Sequence, residues 1–171
     1  MDDPETFRPL NEAIAGQSPE LRELFHDRWA QWYSLALSDI RLIIEGSAVR
    51  FADAVVTLGD PDDRNYTARI TVFTDDLVIT VMAAVEAGNE SHTTRAQSRG
   101  DLKALEVAAS TGALGDNWGR AAWPGKVWAT LDYGDGTPLR LPGSTRADRD
   151  QHARLAALLP SLRADLVASP R

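Results

Sequence analysis

A run of strand-like segments between positions 51 and 141, followed at once by one amphipathic helix, constrains the fold of this chain most strongly. In these segments apolar residues alternate with polar ones, which is the period of a strand with one buried face. Turn residues between them divide the run into seven predicted strands, beginning near positions 49, 66, 77, 91, 105, 127 and 139. The order predicts an α+β, mainly β, fold in which a seven-stranded antiparallel barrel or sandwich is closed by a C-terminal helix.

The helices are indicated by a different period. The last one, 146–167, carries a leucine stripe interrupted by Pro160, where a kink or a restart is expected. An additional N-terminal helix begins at Ser18-Pro19-Glu20, which has the N-cap, first-turn proline and first-turn acid of a helix start. Its apolar residues recur at intervals of three and four as far as Ala36. Residues 37–45 fit either a continued helix or a strand, because apolar residues also alternate there.

These patterns divide the chain into three parts. Residues 1–17 are polar and acidic and predict an arm that is ordered only if it docks on the rest of the protein. Residues 18–45 form the N-terminal helical extension, and 46–168 form the strand-rich domain with its terminal helix.

Composition excludes several classes of function. The chain has 171 residues, a formal charge of −7 and no cysteine. The acidic balance disfavours nucleic acid and anionic membranes as partners, and the absence of cysteine rules out disulfides and zinc–thiolate sites. No apolar stretch approaches the roughly 20 residues of a membrane span, and Met1–Glu5 does not resemble the start of a secretory signal. A cytoplasmic protein is predicted.

No residue pattern predicts an enzyme, a cofactor or a metal site. Asp60, Asp62, Asp63 and Asn65 carry oxygen ligands, but they lie in a proline-containing stretch typical of a solvated turn. The three histidines are far apart in the sequence, and no glycine-rich phosphate loop is present. The chain is therefore predicted to be non-enzymatic.

Three segments resemble the pleckstrin-homology-like superfold, which includes small bacterial members and the related GRAM domains. They are the strand–turn–strand 68–79, the following strand 101–107 and the final hairpin 130–136. The resemblance covers about residues 47–168 and implies a binding module. Phosphoinositide binding is disfavoured, because the loop between the first two strands, 59–65, contains three aspartates and one arginine, whereas inositide-binding members place basic residues there.

Two aromatic segments are the predicted partner-binding surfaces. The long connection 111–126 contains Trp118, Arg120 and Trp123, and these residue types are enriched at binding hot spots. Alternatively, both tryptophans fold back to cap the barrel. Phe25, Trp29 and Trp32 give the N-terminal helix a large aromatic face, which either packs on the sheet or is covered by a partner or a second copy.

The sequence thus predicts a non-enzymatic protein-interaction module that uses the N-terminal helix and the 111–126 loop. Its partner is a second protein or a second copy of the chain in a homodimer. The alternative is a small β-barrel that holds an apolar small molecule or lipid inside.

Overall fold

A computed structural model describes residues 4–25, 30–59, 65–110 and 124–168 of the chain. The chain forms two compact units, Met1–Ser98 and Arg99–Arg171. The boundary between the units falls inside the range 46–168 that the sequence predicts as one domain. In chain order, the elements are α1 (Pro4–Ile14), α2 (Pro19–Leu24), α3 (Gln31–Ile44), β1 (Phe51–Leu58), β2 (Tyr66–Phe73), β3 (Leu77–Glu86), β4 (Asn89–Ser98), β5 (Ala104–Ala109), β6 (Val127–Asp132), β7 (Leu139–Leu141) and α4 (Arg149–Ala168).

The strands form two antiparallel sheets, with the orders β1-β2-β3-β4 and β5-β6-β7. The predicted α+β class with antiparallel sheets and a C-terminal helix is therefore confirmed. Each described strand begins within two residues of its predicted position, because alternation and turn residues are local signals.

Of the two predicted arrangements, barrel or sandwich, the closed barrel is wrong for the described strands. No hydrogen-bonded ladder joins β4 to β5 among them, because the chain leaves β4 through a 3₁₀ turn at Arg99–Asp101 before β5 begins. The alternative function, an apolar small molecule or lipid held inside a small β-barrel, depended on that closed barrel.

The core of the first unit lies between the helices and one face of the four-stranded sheet. α1 and α2 pack on β1, and α3 packs on β3 and β4. The apolar residues of β1 to β3 that face these helices follow the period of two, as expected for a sheet with one covered face. The sheet contributes Ala52, Ala54, Ala68, Ile70, Val72, Ile79, Val81, Ala83 and Val85, and the helices contribute Leu10, Ile14, Leu21, Trp32, Tyr33, Ala36, Leu37, Ile40 and Ile44.

The N-terminal helices differ in part from the prediction. Ser18 caps α2 as expected, because its hydroxyl accepts a hydrogen bond from the Leu21 amide at 3.2 Å. However, α2 ends at Leu24 and a second helix, α3, begins only at Gln31. Residues 37–44 continue α3, which settles the choice between helix and strand in that segment. The predicted arm contains α1, which docks through the buried side chains of Leu10 and Ile14.

In the second unit, α4 packs on β5 and β6. Leu155, Leu158 and Leu162 are buried, so the predicted stripe forms the inner face of this helix. α4 is one continuous helix through Pro160, so the restart expected there does not occur. Among the described helices, none combines the length and the low polarity needed to cross a membrane.

Candidate functional site

The predicted aromatic face of the N-terminal helix is a buried cluster where it is described. Phe25 is 7% exposed and Trp32 is 1% exposed. The Phe25 ring centroid lies 5.8 Å from that of Trp32 and 5.0 Å from that of Tyr33. Trp32 Nε1 donates a hydrogen bond to the Tyr66 hydroxyl at 2.9 Å. Phe25 and Trp32 therefore lie together in the core of the first unit, against the sheet, and not on an open surface.

The other predicted partner-binding residues are Trp29, Trp118, Arg120 and Trp123, and all four lie outside the described residues. The connection that contains the last three follows β5 directly and leads into β6. Their role stays a prediction.

A histidine–aspartate pair connects α3 to β4 in the first unit. Asp39 Oδ2 lies 3.0 Å from His92 Nε2 and accepts a hydrogen bond from the Thr94 hydroxyl at 2.8 Å. The Thr94 hydrogen bond and then His92 lower the pKa of Asp39. Ser91 lies on the opposite face of the strand from His92, since successive side chains alternate, and its hydroxyl donates to the Ala84 carbonyl at 3.4 Å. The pair therefore lacks a serine nucleophile from its own strand neighbour.

The remaining titratable residues do not assemble a metal site within the described ranges, where no group of three or more metal-ligating side chains occurs. Asp60, Asp62, Asp63 and His26 lie outside those ranges. His152 is buried in the second unit, with its Nδ1 atom 2.7 Å from the Val127 carbonyl oxygen. The Val127 amide nitrogen lies 3.2 Å from the same Nδ1 atom, so the backbone of β6 holds the ring in place.

The feature that stands out in the second unit is the open edge of β5. The amide of Ser110, the residue directly after β5, donates to the Lys126 carbonyl at 2.9 Å. Because hydrogen-bonded pairs alternate along an antiparallel ladder, the backbone groups of the even-numbered residues of β5 also point toward β6. The amides and carbonyls of Leu105, Val107 and Ala109 consequently point away from β6. β5 is an end strand of its sheet. Among the described residues, these outward backbone groups have no hydrogen-bond partner.

The contacts of Val127 agree with this hydrogen-bonding pattern. Val127 is directly opposite Ala109 in the ladder. Its amide nitrogen and its carbonyl oxygen lie 3.2 Å and 2.7 Å from His152 Nδ1 of α4. The backbone groups of Val127 are therefore engaged by α4, and within the described residues Ala109 opposite it stays unpaired on that side.

The side chains of β5 are apolar although they are accessible. Its sequence is Ala-Leu-Glu-Val-Ala-Ala, in which only Leu105 is half-buried and the other five residues are exposed. The Val107 side chain, for example, belongs to a residue that is 52% exposed. An exposed apolar edge strand without proline is a template for pairing with another strand.

A buried ion pair fixes the start of this edge to α4. The Arg99 guanidinium, in the turn before β5, donates to Asp165 Oδ2 at 2.6 Å and to the Ser161 hydroxyl at 2.7 Å. Arg99 is 2% exposed. Burial raises the pKa of Tyr133, which follows β6, although the nearby Arg99 charge opposes this rise. The edge that follows is therefore presented from a fixed position in its own unit.

Sequence reasoning missed this edge. The alternation of Leu105, Val107 and Ala109 indicated a strand with one apolar face, and it carried no information on which strands would pair with it. The signal that existed was the contrast in composition between β5 and the polar strand β4.

Comparison with known proteins gives no match to this chain among protein-family models, curated proteins or solved structures.

Proposed function

We propose that this chain is a non-enzymatic protein-interaction module that binds an extended segment of a partner by adding it as a strand to β5. The observation that carries the proposal is the row of outward backbone groups at Leu105, Val107 and Ala109 on an accessible apolar edge. In strand addition, main-chain hydrogen bonds supply affinity and alternate side chains supply specificity.

The order of elements supports the broader part of the proposal. A four-stranded antiparallel sheet, a three-stranded antiparallel sheet and a C-terminal helix follow one another in the chain. This is the order expected from the resemblance to the pleckstrin-homology-like superfold, which often serves protein–protein contacts. A fold alone does not transfer function, so the edge itself is the site that the proposal rests on.

The size of the edge sets the expected affinity. Each of the three outward residues can exchange two hydrogen bonds with an antiparallel strand. At a net value of about 0.5–1.5 kcal/mol per hydrogen bond, the gross gain is about 3–9 kcal/mol before the cost of ordering the peptide. Dissociation constants in the millimolar to micromolar range follow for the backbone contacts alone. Trp118, Arg120 and Trp123 come next in the chain after this edge and are proposed to add side-chain contacts.

The test compares two substitutions at one position, Val107→Pro and Val107→Ala. Alanine truncates the valine side chain and keeps the outward amide, whereas proline keeps three side-chain carbons and removes the amide hydrogen. Because that amide makes no hydrogen bond within the sheet, proline is tolerated there and both variants should keep the far-UV circular dichroism of the parent. Peptides are selected from a displayed random library on the parent protein and then titrated against the parent and both variants by fluorescence polarisation.

The proposal expects selected peptides whose binding survives Val107→Ala within about fivefold and is reduced at least tenfold by Val107→Pro. Amide exchange at 105, 107 and 109 should slow when peptide is bound. Equal binding to both variants, or a selection that yields no peptide, overturns strand addition at β5.

A further inference from the structure

The charge on the open edge indicates what kind of strand it accepts. Glu106 is the only ionisable side chain of β5, and it is exposed. Among the described residues it forms no salt bridge or hydrogen bond through its carboxylate. Its neighbours on the same face of the strand are Ala104 and Ala108, whose small side chains leave room beside the carboxylate.

The hydrogen-bonding pattern of β5 determines which kind of residue pair Glu106 forms with an added strand. Since Leu105 and Val107 exchange hydrogen bonds with that strand, Glu106 belongs to a non-hydrogen-bonded pair. Side chains in such pairs approach most closely, with Cβ atoms about 4.5–5.5 Å apart. An opposite charge at the facing position is attracted, and a carboxylate there is repelled.

A second copy of this chain does not satisfy that charge. In a symmetric antiparallel pair of β5 strands centred on Glu106, the two carboxylates face each other, which is destabilising. In the pair centred on Val107, each Glu106 faces Ala108 of the other copy and gains no charged partner. The formal charge of −7 also repels a second copy at long range and attracts a basic segment.

We infer that the partner segment is a basic β-strand, with a lysine or arginine facing Glu106 and β-branched residues facing Leu105 and Val107. The inference rests on the proposed strand addition and deepens it by naming the chemistry of the partner. The observation that carries it is an accessible carboxylate, flanked by alanines, on the edge whose backbone groups are unpaired.

The test uses two blocked, fluorescein-labelled heptapeptides that differ only at the centre. Both have valine at positions 3 and 5 and threonine at the other outer positions, and the central residue is lysine in one and glutamate in the other. A central position faces Glu106 in either strand direction. Fluorescence polarisation measures both peptides against the parent, Glu106→Gln, Glu106→Lys and Val107→Pro at two salt concentrations.

The parent should bind the lysine peptide about two- to thirtyfold more tightly than the glutamate peptide, since opposite and like charges across strands each contribute modestly. Glu106→Gln should reduce this preference, and Glu106→Lys should reverse it. Higher salt should weaken the preference in the parent.

The outcomes separate the inference from the proposed function. If both peptides bind the parent equally and Val107→Pro abolishes both, strand addition stands and the basic partner is wrong. If Val107→Pro binds as well as the parent, strand addition itself fails. A parent protein that dimerises in sedimentation velocity, loses the dimer in Val107→Pro and binds neither peptide overturns the inference in favour of self-pairing.

Discussion

Replacement of Trp32 by alanine should destabilise the first unit strongly. Trp32 is 1% exposed, contacts Phe25 and Tyr33, and donates through Nε1 to the Tyr66 hydroxyl. Truncation of a buried tryptophan costs about 3–5 kcal/mol, which is a large share of the 5–15 kcal/mol that stabilises a typical protein. For a protein of this length, that cost corresponds to a decrease in melting temperature of about 6–20 °C.

The assay is guanidinium unfolding followed by far-UV circular dichroism, because the signal then does not depend on the tryptophan that is removed. Leu42→Ala on the same helix is the matched control, since Leu42 is 75% exposed and its loss should cost at most about 0.5 kcal/mol. Trp32→Phe should fall between the two, because it keeps an aromatic ring and loses the donor and part of the buried ring volume. If Trp32→Ala and Leu42→Ala unfold at the same midpoint, Trp32 is not part of the core and the partner-surface interpretation regains its basis.

Three further predictions concern single contacts. Asp39→Asn should destabilise the protein at neutral pH by less than about 1 kcal/mol, since the Asp39 side chain is 41% exposed. The folded state lowers the pKa of Asp39, so the stability difference between the parent and Asp39→Asn should persist above the ordinary aspartate pKa of about 3.9. The difference should disappear as the pH falls through the lower pKa that Asp39 has in the folded state. Thermal melts from pH 7 to pH 2 measure this change. Asp165→Ala should lower the free energy of unfolding in urea by about 3–5 kcal/mol, because it leaves a buried guanidinium without its carboxylate. Arg99→Met should lower it by less. The reverse order would contradict the burial of Arg99. Ser18→Ala should cost about 1 kcal/mol through loss of the α2 cap, whereas Ser47→Ala, at an exposed position after α3, should be neutral in the same melts.

Local patterns were enough to predict most elements of this fold. Apolar and polar residues alternate along most of β2. Turns such as Thr74–Asp76 use side chains that bind their own backbone, since the Thr74 hydroxyl accepts from the Leu77 amide at 3.0 Å. The cap at Ser18 is equally local. These features depend on residues within about four positions of one another, so a single sequence contains the information needed to predict them.

Features that depend on distant pairing could not be predicted in the same way. A closed barrel and two separate sheets use the same seven strands, and the choice between them depends on whether β4 and β5 pair. The aromatic residues of the N-terminal helix have the same period whether they face a sheet or a partner, so the burial of Phe25 and Trp32 became evident only from the structure. The end of α2 at Leu24 likewise interrupts a stripe whose period continues to Ala36.

A comparison of two of the end strands, β4 and β5, shows why the edge of β5 is a better candidate for function than that of β4. Nine of the ten residues of β4 are polar, and only Ala96 is apolar, so side-chain polarity discourages another strand from pairing there. In β5 the proportions are reversed, with five apolar residues and Glu106. An unprotected apolar edge strand promotes aggregation, so pairing at such an edge has to be selective. A single carboxylate in its middle provides selectivity, because it disfavours a second copy in the register centred on it and favours a basic strand. The proposed recognition surface therefore combines the charge at Glu106 with the open backbone beside it.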